Sequence, residues 1–345
     1  MMHSPLLGKL DPAAEQAMRE LIGGALRTQA VYVVAKLGVP DLLANGALTS
    51  HELASRAGAH HDTLRRVLRF LVTCGVFDER EDGRFTLTRT GEYLQTAHPR
   101  SMRKSAIRAG EGMWQTVGAL LEAVRTGATP HELGHGAPFF ERDAAGAAQF
   151  AARMTSSLEG IGEAVASSGV LRDARMLVDV GGGHGVLLKA ALDKHPHLHG
   201  VLFDTPAMID AVRSSIDVSR IELVAGDFFR GVPAGDVYLL SWILHDWKDT
   251  EARAILRACR EAGGADARLL IVEIELPQRA ASAVHEAGSY DPFLVDMQML
   301  LLTGGKERTR EEYRALLEAE GFELAEVTPV PSARGASLFS ARAKK

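Results

Sequence analysis

Three groups of residues in this sequence have types and spacings suited to chemistry. His245 and Asp246 follow an apolar run, "LLSWIL"; Gly181, Gly182, Gly183 and Gly185 break another run, "MLVDV"; and Asp204 and Asp227 close two more. Histidine is the side chain suited to accept a proton near neutral pH. Glycine has no Cβ, so a ligand can lie close against the backbone of such a loop. An acid about twenty residues after a glycine-rich turn can take both hydrogen bonds of a ribose diol.

The glycine spacing narrows the ligand. A dinucleotide fingerprint, G-x-G-x-x-G counted from Gly181 and Gly183, needs glycine where Val186 stands, and no G-K-S/T follows for a P-loop. What remains is G-x-G-x-G with Asp179 just before it. In "AGDFF", Asp227 offers a carboxylate for an adenine amino group and Phe228 a ring to cover the base. Ribose and adenine contacts without a phosphate site fit S-adenosylmethionine, leaving S-adenosylhomocysteine as product. Alone, His245 reads first as a buried histidine satisfied by backbone.

The elements that must hold these residues follow from periodicity. From Met176 onward short apolar runs alternate with helical stretches, which argues for a doubly wound parallel sheet in an α/β fold. "GFELAEVTPV" and "ASLFSARA" add two strands as a hairpin on the sheet edge. Before them, "LTSHELASRAG" carries Thr49 and Glu52 at capping-box spacing, and Asp62 is placed to cap a second helix whose Leu64, Val67, Leu68, Leu71 and Val72 share a face. An Asp-Gly turn between two short strands completes a winged helix-turn-helix. The expected division is 1–104 for this mostly helical domain, 105–170 for a helical connector shaping a pocket, and 171–345 for the cofactor domain.

Composition sets limits on partners. With 345 residues, 46% hydrophobic and 24% charged, the chain can bury two cores, and a net charge of −5 attracts neither nucleic acid nor an anionic membrane. Residues 49–100 hold eight Lys or Arg against seven Asp or Glu, so the winged helix has no basic footprint and reads better as a subunit-contact module than as a DNA reader. Two separated cysteines, no leader-like N-terminus and no membrane-length apolar run imply a cytoplasmic protein. His195, His197 and His199 alternate like metal ligands but lack further partners and read as a surface turn; His184 reads as packing on the glycine loop.

In order, "VDVGGGHG", "FDTP", "GDFF", "LHDW", "IVEIELP" and "GGKERT" give the chain, over nearly its whole length, a resemblance to a known family. It resembles the S-adenosylmethionine-dependent O-methyltransferases with an N-terminal winged-helix dimerisation domain, of the plant caffeate type and of bacterial natural-product pathways. The resemblance implies a Rossmann-like class I methyltransferase sheet and a homodimer through the N-terminal domain. It implies His245 as general base, with Glu273 and Glu307 orienting the imidazole. For the cofactor it implies the loop at Gly181 and Gly183 with Asp179, then Asp204, Thr205, Asp227 and Phe228, with Trp247 on the adenine. Ser241 also falls in this set, although relatives commonly carry lysine there. The acceptor, a small phenol or enol, is expected near Trp114, Phe139, Phe150, Met154, Asp246 and Asp296.

A phenol near ~10 and an imidazole near ~6.5 make proton transfer ahead of attack uphill by several units, so removal concerted with methyl transfer is expected. Two other readings fit the same residues. One is carbon methylation of an α-keto acid with His245, Asp246 and Asp296 around a metal; the other is a relative that binds the cofactor without methylating.

Overall fold

The computed structural model describes residues 11–140, 158, 160–216, 219–282, 291–330 and 335–345. Its chain forms two compact units, Met1–Val117 and Gly118–Lys345. Residues 105–117 of the expected connector therefore belong to the first unit and those from 118 onward to the second.

In the first unit the capping box forms as expected. Thr49 Oγ1 accepts the Glu52 N–H at 3.2 Å, the Glu52 carboxylate takes the Thr49 N–H at 2.7 Å, and helix Ser50–Ala57 begins there. The next helix, His61–Thr73, has His60 at its N-cap position without a side-chain capping bond, and Asp62 lies inside its first turn, where a carboxylate meets the positive end of the helix dipole. Leu64, Leu68 and Leu71 are its buried residues and pack with Leu53, Phe77 and Phe85. Strands β1 (Leu48–Thr49), β2 (Phe77–Glu79) and β3 (Arg84–Leu87) pair in the order β1-β3-β2, completing the wing. Helix Pro12–Ile22 has no buried residue, and Leu21 and Ile22 are each 75% exposed.

The second unit is built on β4 (Met176–Val180), β5 (His199–Asp204), β6 (Ile221–Ala225), β7 (Val237–Ser241), β8 (Arg268–Leu276), β9 (Arg308–Thr309), β10 (Phe322–Pro329) and β11 (Ala336–Ala343). Their order is β10-β11-β8-β7-β4-β5-β6, with β9 paired to the end of β8. The strands from β8 to β6 run parallel, while β10 and β11 form the expected antiparallel hairpin, with β11 against β8.

Strand side chains alternate between faces, and here both faces are covered, which is why the strands read as unbroken apolar runs. Leu177, Leu239, Leu270 and Val272 join the core that includes helix Val186–Lys194, while Val178, Val180, Leu240 and Ile271 pack with residues of helices Asp249–Gly263 and Arg310–Ala319. The parallel arrangement brings the C-terminal ends of β4, β5, β7 and β8 to one edge, where such folds bind ligands. Among the described residues no helix is long and apolar enough to cross a membrane.

Candidate active site

The glycine loop leaves β4 with Gly181, Gly183 and Gly185 at φ values of 69°, 55° and 67°, a left-handed region that only glycine enters freely. Gly181 also needs to be glycine for space, because a Cβ there would lie 2.5 Å from the Ile243 side chain, which belongs to the turn after β7. The loop is tied to the neighbouring strand: Gly181 N–H donates to Phe203 O, and Gly183 N–H to Asp204 Oδ2 at 2.9 Å. The Thr205 N–H donates to the other Asp204 oxygen at 2.7 Å. Burial raises the Asp204 carboxyl above its ordinary range, with those backbone donors opposing.

Other expected cofactor residues are also held by the fold itself. Asp179 is 2% exposed and lies under the loop, where a Cβ on Gly182 would meet its carboxyl at 2.5 Å. Burial and then Asp204 push it up to about 7. Thr205 caps helix Pro206–Val212 through its hydroxyl. Asp227 Oδ1 accepts the Phe229 N–H at 2.9 Å. Trp247 is surrounded by rings: Phe229 and Phe228 edge-on at 4.8 and 5.8 Å, and Phe140 stacked at 5.7 Å. Phe140 and Phe229 were not singled out in the sequence, where each was the second of two adjacent phenylalanines. Ser241 ends β7, with its hydroxyl buried and without a hydrogen-bond partner among the described residues.

These residues fit S-adenosylmethionine. The loop offers bare backbone beside a carboxylate that is anchored by two N–H groups, and the next strand ends lead to an anchored acid and an aromatic cluster.

The turn after β7 is more heavily constrained. After β7 the chain makes a short 3-10 turn, Leu244–Asp246, that places His245 at the ligand-binding edge with 5% exposure. The His245 Nδ1 lies 2.8 Å from Glu307 Oε1 and 3.4 Å from Glu273 Oε2, and its Nε2 lies 3.9 Å from Asp246 Oδ1. A carboxylate only accepts, so Nδ1 carries the proton that it donates to Glu307, and Nε2 is the nitrogen left to take another. Glu273 Oε1 accepts the backbone N–H groups of Ile243, Leu244 and His245 at 3.0, 2.7 and 3.3 Å, so one buried carboxylate fixes the turn and faces the ring it presents.

Burial alone would lower the His245 proton affinity, but Glu273, Glu307 and Asp246 outweigh it and push the imidazole up to about 10. Burial pushes Glu273 up to about 7, against the pull of His245 and with Glu307 reinforcing it.

Arg308, fully buried, completes the turn and was passed over in the sequence although it adjoins Glu307. Its guanidinium donates to Leu244 O at 2.9 Å, Trp247 O at 2.7 Å and Asp249 Oδ1 at 3.0 Å, holding the backbone on both sides of His245. Gly305 presses on the same turn: a Cβ there would lie 2.1 Å from His245 O.

Asp296, expected near the acceptor or a metal, uses Oδ1 to accept the Glu307 N–H at 2.9 Å. Phe139 sits edge-on to Phe140 at 5.3 Å. Trp114, 41% exposed, belongs to the first unit, and Phe150 and Met154 lie outside the described residues. His197 and His199 are exposed, and His195 closes helix Val186–Lys194 with its Nε2 at 2.8 Å from Ala166 O, as a surface turn should.

Comparison with known proteins agrees with this arrangement. Residues 117–323 match the model of an O-methyltransferase domain, and residues 19–97 that of an O-methyltransferase dimerisation domain. The chain is 37% identical over 338 residues to the phenazine O-methyltransferase PhzM of Lysobacter antibioticus, covering 94% of each chain. Among solved structures it is similar to TnmH, with a TM-score of 0.84 at 35% identity over 97% of this chain and 100% of that one. It is also similar to NcsB1, an O-methyltransferase from neocarzinostatin biosynthesis solved with S-adenosylmethionine and 2-hydroxy-5-methyl naphthoic acid, with a TM-score of 0.78 at 34% identity over 92% of this chain and 96% of that one.

Proposed function

We propose that this chain, which belongs to the S-adenosylmethionine-dependent O-methyltransferases with an N-terminal dimerisation domain, methylates a hydroxyl of a small aromatic natural product using His245 as general base. One observation carries the reading: a buried imidazole whose Nδ1 is held by Glu307, leaving Nε2 for an acceptor, on a turn in contact with the glycine loop through Ile243 and Gly181. The naphthoic acid in the NcsB1 complex and the phenazine in the name of PhzM support a flat aromatic acceptor.

When bound, S-adenosylmethionine supplies an electrophilic methyl group on a sulfonium. Asp204 holds the ribose, and Trp247, with Phe228 beside it, covers the adenine. His245 Nε2 accepts the hydroxyl proton as the acceptor oxygen attacks, and the imidazolium so formed keeps its Nδ1–H on Glu307 with Glu273 alongside. The carboxylates around it raise the imidazole toward the range of a phenol, so the transfer is less uphill than for an ordinary histidine. The cost is that His245 of the free enzyme is protonated at neutral pH. The productive complex carries one proton fewer, and kcat/KM rises with pH along a limb well above that of an ordinary histidine.

The test is a panel of hydroxylated phenazines and naphthoates with labelled S-adenosylmethionine, run on the wild type and His245→Gln. The expected result is transfer to oxygen that falls on the order of 10²–10⁴-fold in the variant while cofactor affinity is kept. Transfer that survives the substitution at the wild-type rate would remove His245 as the base.

The N-terminal unit is read as the dimer contact, supported by the apolar residues that helix Pro12–Ile22 leaves exposed. Light scattering that reports a monomer at micromolar concentration would count against it.

A further inference from the structure

Trp242 is the one non-glycine among the described residues with a left-handed backbone, φ 56°. A bulky residue adopts that conformation only where its surroundings impose it. Here the next residue, Ile243, is right-handed, and the N–H groups of Ile243, Leu244 and His245 converge on Glu273 Oε1. A left-handed residue followed by right-handed ones turns successive N–H groups to one side, forming a concave anion site. The Trp242 N–H donates to Val272 O at 3.0 Å, pinning the turn to the strand that carries Glu273.

Hydrogen bonding does not explain where the side chain sits, because the indole is 8% exposed and its Nε1 has no partner among the described residues, whereas buried tryptophans usually find one. The ring belongs to the core that includes Leu239, Val272 and Ile274, and it also meets His245: the ring centroids are 5.5 Å apart with a tilt of 31°, within the reach of a cation–π contact.

We propose that Trp242 is a positioning residue for the base, its ring face fixing the imidazole so that Nδ1 points at Glu307 and favouring the protonated ring over the neutral one. Other charged groups also face this imidazole. Asp246 lies on the same turn, Glu273 on β8 and Glu307 ahead of β9; Arg308 acts through Leu244 O and Trp247 O, and Asp296 of helix Pro292–Leu302 through the Glu307 N–H. Their carboxylates set most of the proton affinity, and the indole adds to it in a desolvated site. At alkaline pH, where the ring starts neutral, the same contact stabilises the imidazolium as it forms, so its loss lowers kcat there and leaves KM in place.

The test is an NMR titration of His245, assigned with His245→Gln, in protein saturated with S-adenosylhomocysteine. Wild type, Trp242→Phe and Trp242→Leu are compared, with a melting curve for each. The expected order of midpoints is Trp, then Phe, then Leu. Leu should titrate about one pH unit lower, a tenfold loss of proton affinity and the size of a buried cation–π contact. Trp242→Met replaces Leu if that variant does not fold. Variants that melt earlier but titrate His245 at the wild-type midpoint would reduce Trp242 to packing and overturn the proposal. The titration needs no acceptor, so it stands apart from the proposed reaction: a fully active His245→Gln would sink the general base without altering the order of midpoints.

Discussion

The two halves of the ligand-binding edge are built differently. At the ends of β4 and β5 the chain offers backbone: three left-handed glycines, and an aspartate whose oxygens are held by the N–H groups of Gly183 and Thr205. At the ends of β7 and β8 it offers buried charge: His245, Glu273, Glu307 and Arg308, none more than 5% exposed. A loop of bare backbone can be perturbed by adding atoms, and it answers with affinity. A buried network is perturbed by removing one charge, because the partners left behind cannot be hydrated, and it answers with stability and proton affinity together.

Arg308→Met tests that contrast most severely. It leaves Leu244 O and Trp247 O without their donor and should cost about 2–4 kcal/mol of unfolding free energy, read as a lower denaturant midpoint, in addition to lost activity. A variant as stable as wild type would mean that the turn bearing His245 holds itself. On the other half, Asp204→Ala should weaken S-adenosylmethionine binding roughly 10–100-fold by calorimetry, in line with about 1–3 kcal/mol for unpaired buried donors, with the His245 titration left in place. If that titration moved as well, the two halves would be one unit, coupled through the contact of Gly181 with Ile243.

The smallest effect is a change of pH dependence. Glu307→Gln removes a carboxylate that raises the imidazole, so the alkaline limb of kcat/KM should move toward neutrality. The sign for stability is the same for all the groups pushed upward. His245 contributes stability that is complete below its ordinary value of ~6.5 and is lost as pH rises through about 10. Glu273 and Asp179 contribute stability that is complete below ~4 and is lost as pH rises through about 7. Melting temperature should therefore fall from pH 7 to pH 10 in the wild type and fall less in His245→Gln. An equal slope in both would show that His245 is not the group responsible.

The same division explains what the sequence made legible. Gly181, Gly183, Asp204 and the capping pair Thr49 and Glu52 act through local spacing, and their places follow from counting residues. His245 stands at a strand end for the same reason. Arg308 looks like a surface arginine in a string of charged residues, and only the three-dimensional turn reveals the carbonyls around it. Asp179 and Thr205 stood in a plausible ligand motif, yet one is buried beneath the loop and the other caps a helix; motif position does not tell a ligand contact from support for one. Trp242 could not be read as left-handed, because that conformation comes from the convergence of three N–H groups on a carboxylate thirty-one residues later in the chain. His60 in place of Asp62 as helix cap is a slip of two positions, within the usual uncertainty of helix ends.

The position of β11 carries a consequence for the timing of synthesis. It inserts between β8 and β10, with Ser337 paired opposite Glu273, so the strand bearing that carboxylate acquires one of its neighbours from a segment made after all the parallel strands. The glycine loop, by contrast, lies between β4 and β5, which are made long before. A nascent chain can thus assemble the cofactor side of the site while β8 is still an open edge, and the surroundings of Glu273 are completed only after β11 has been made.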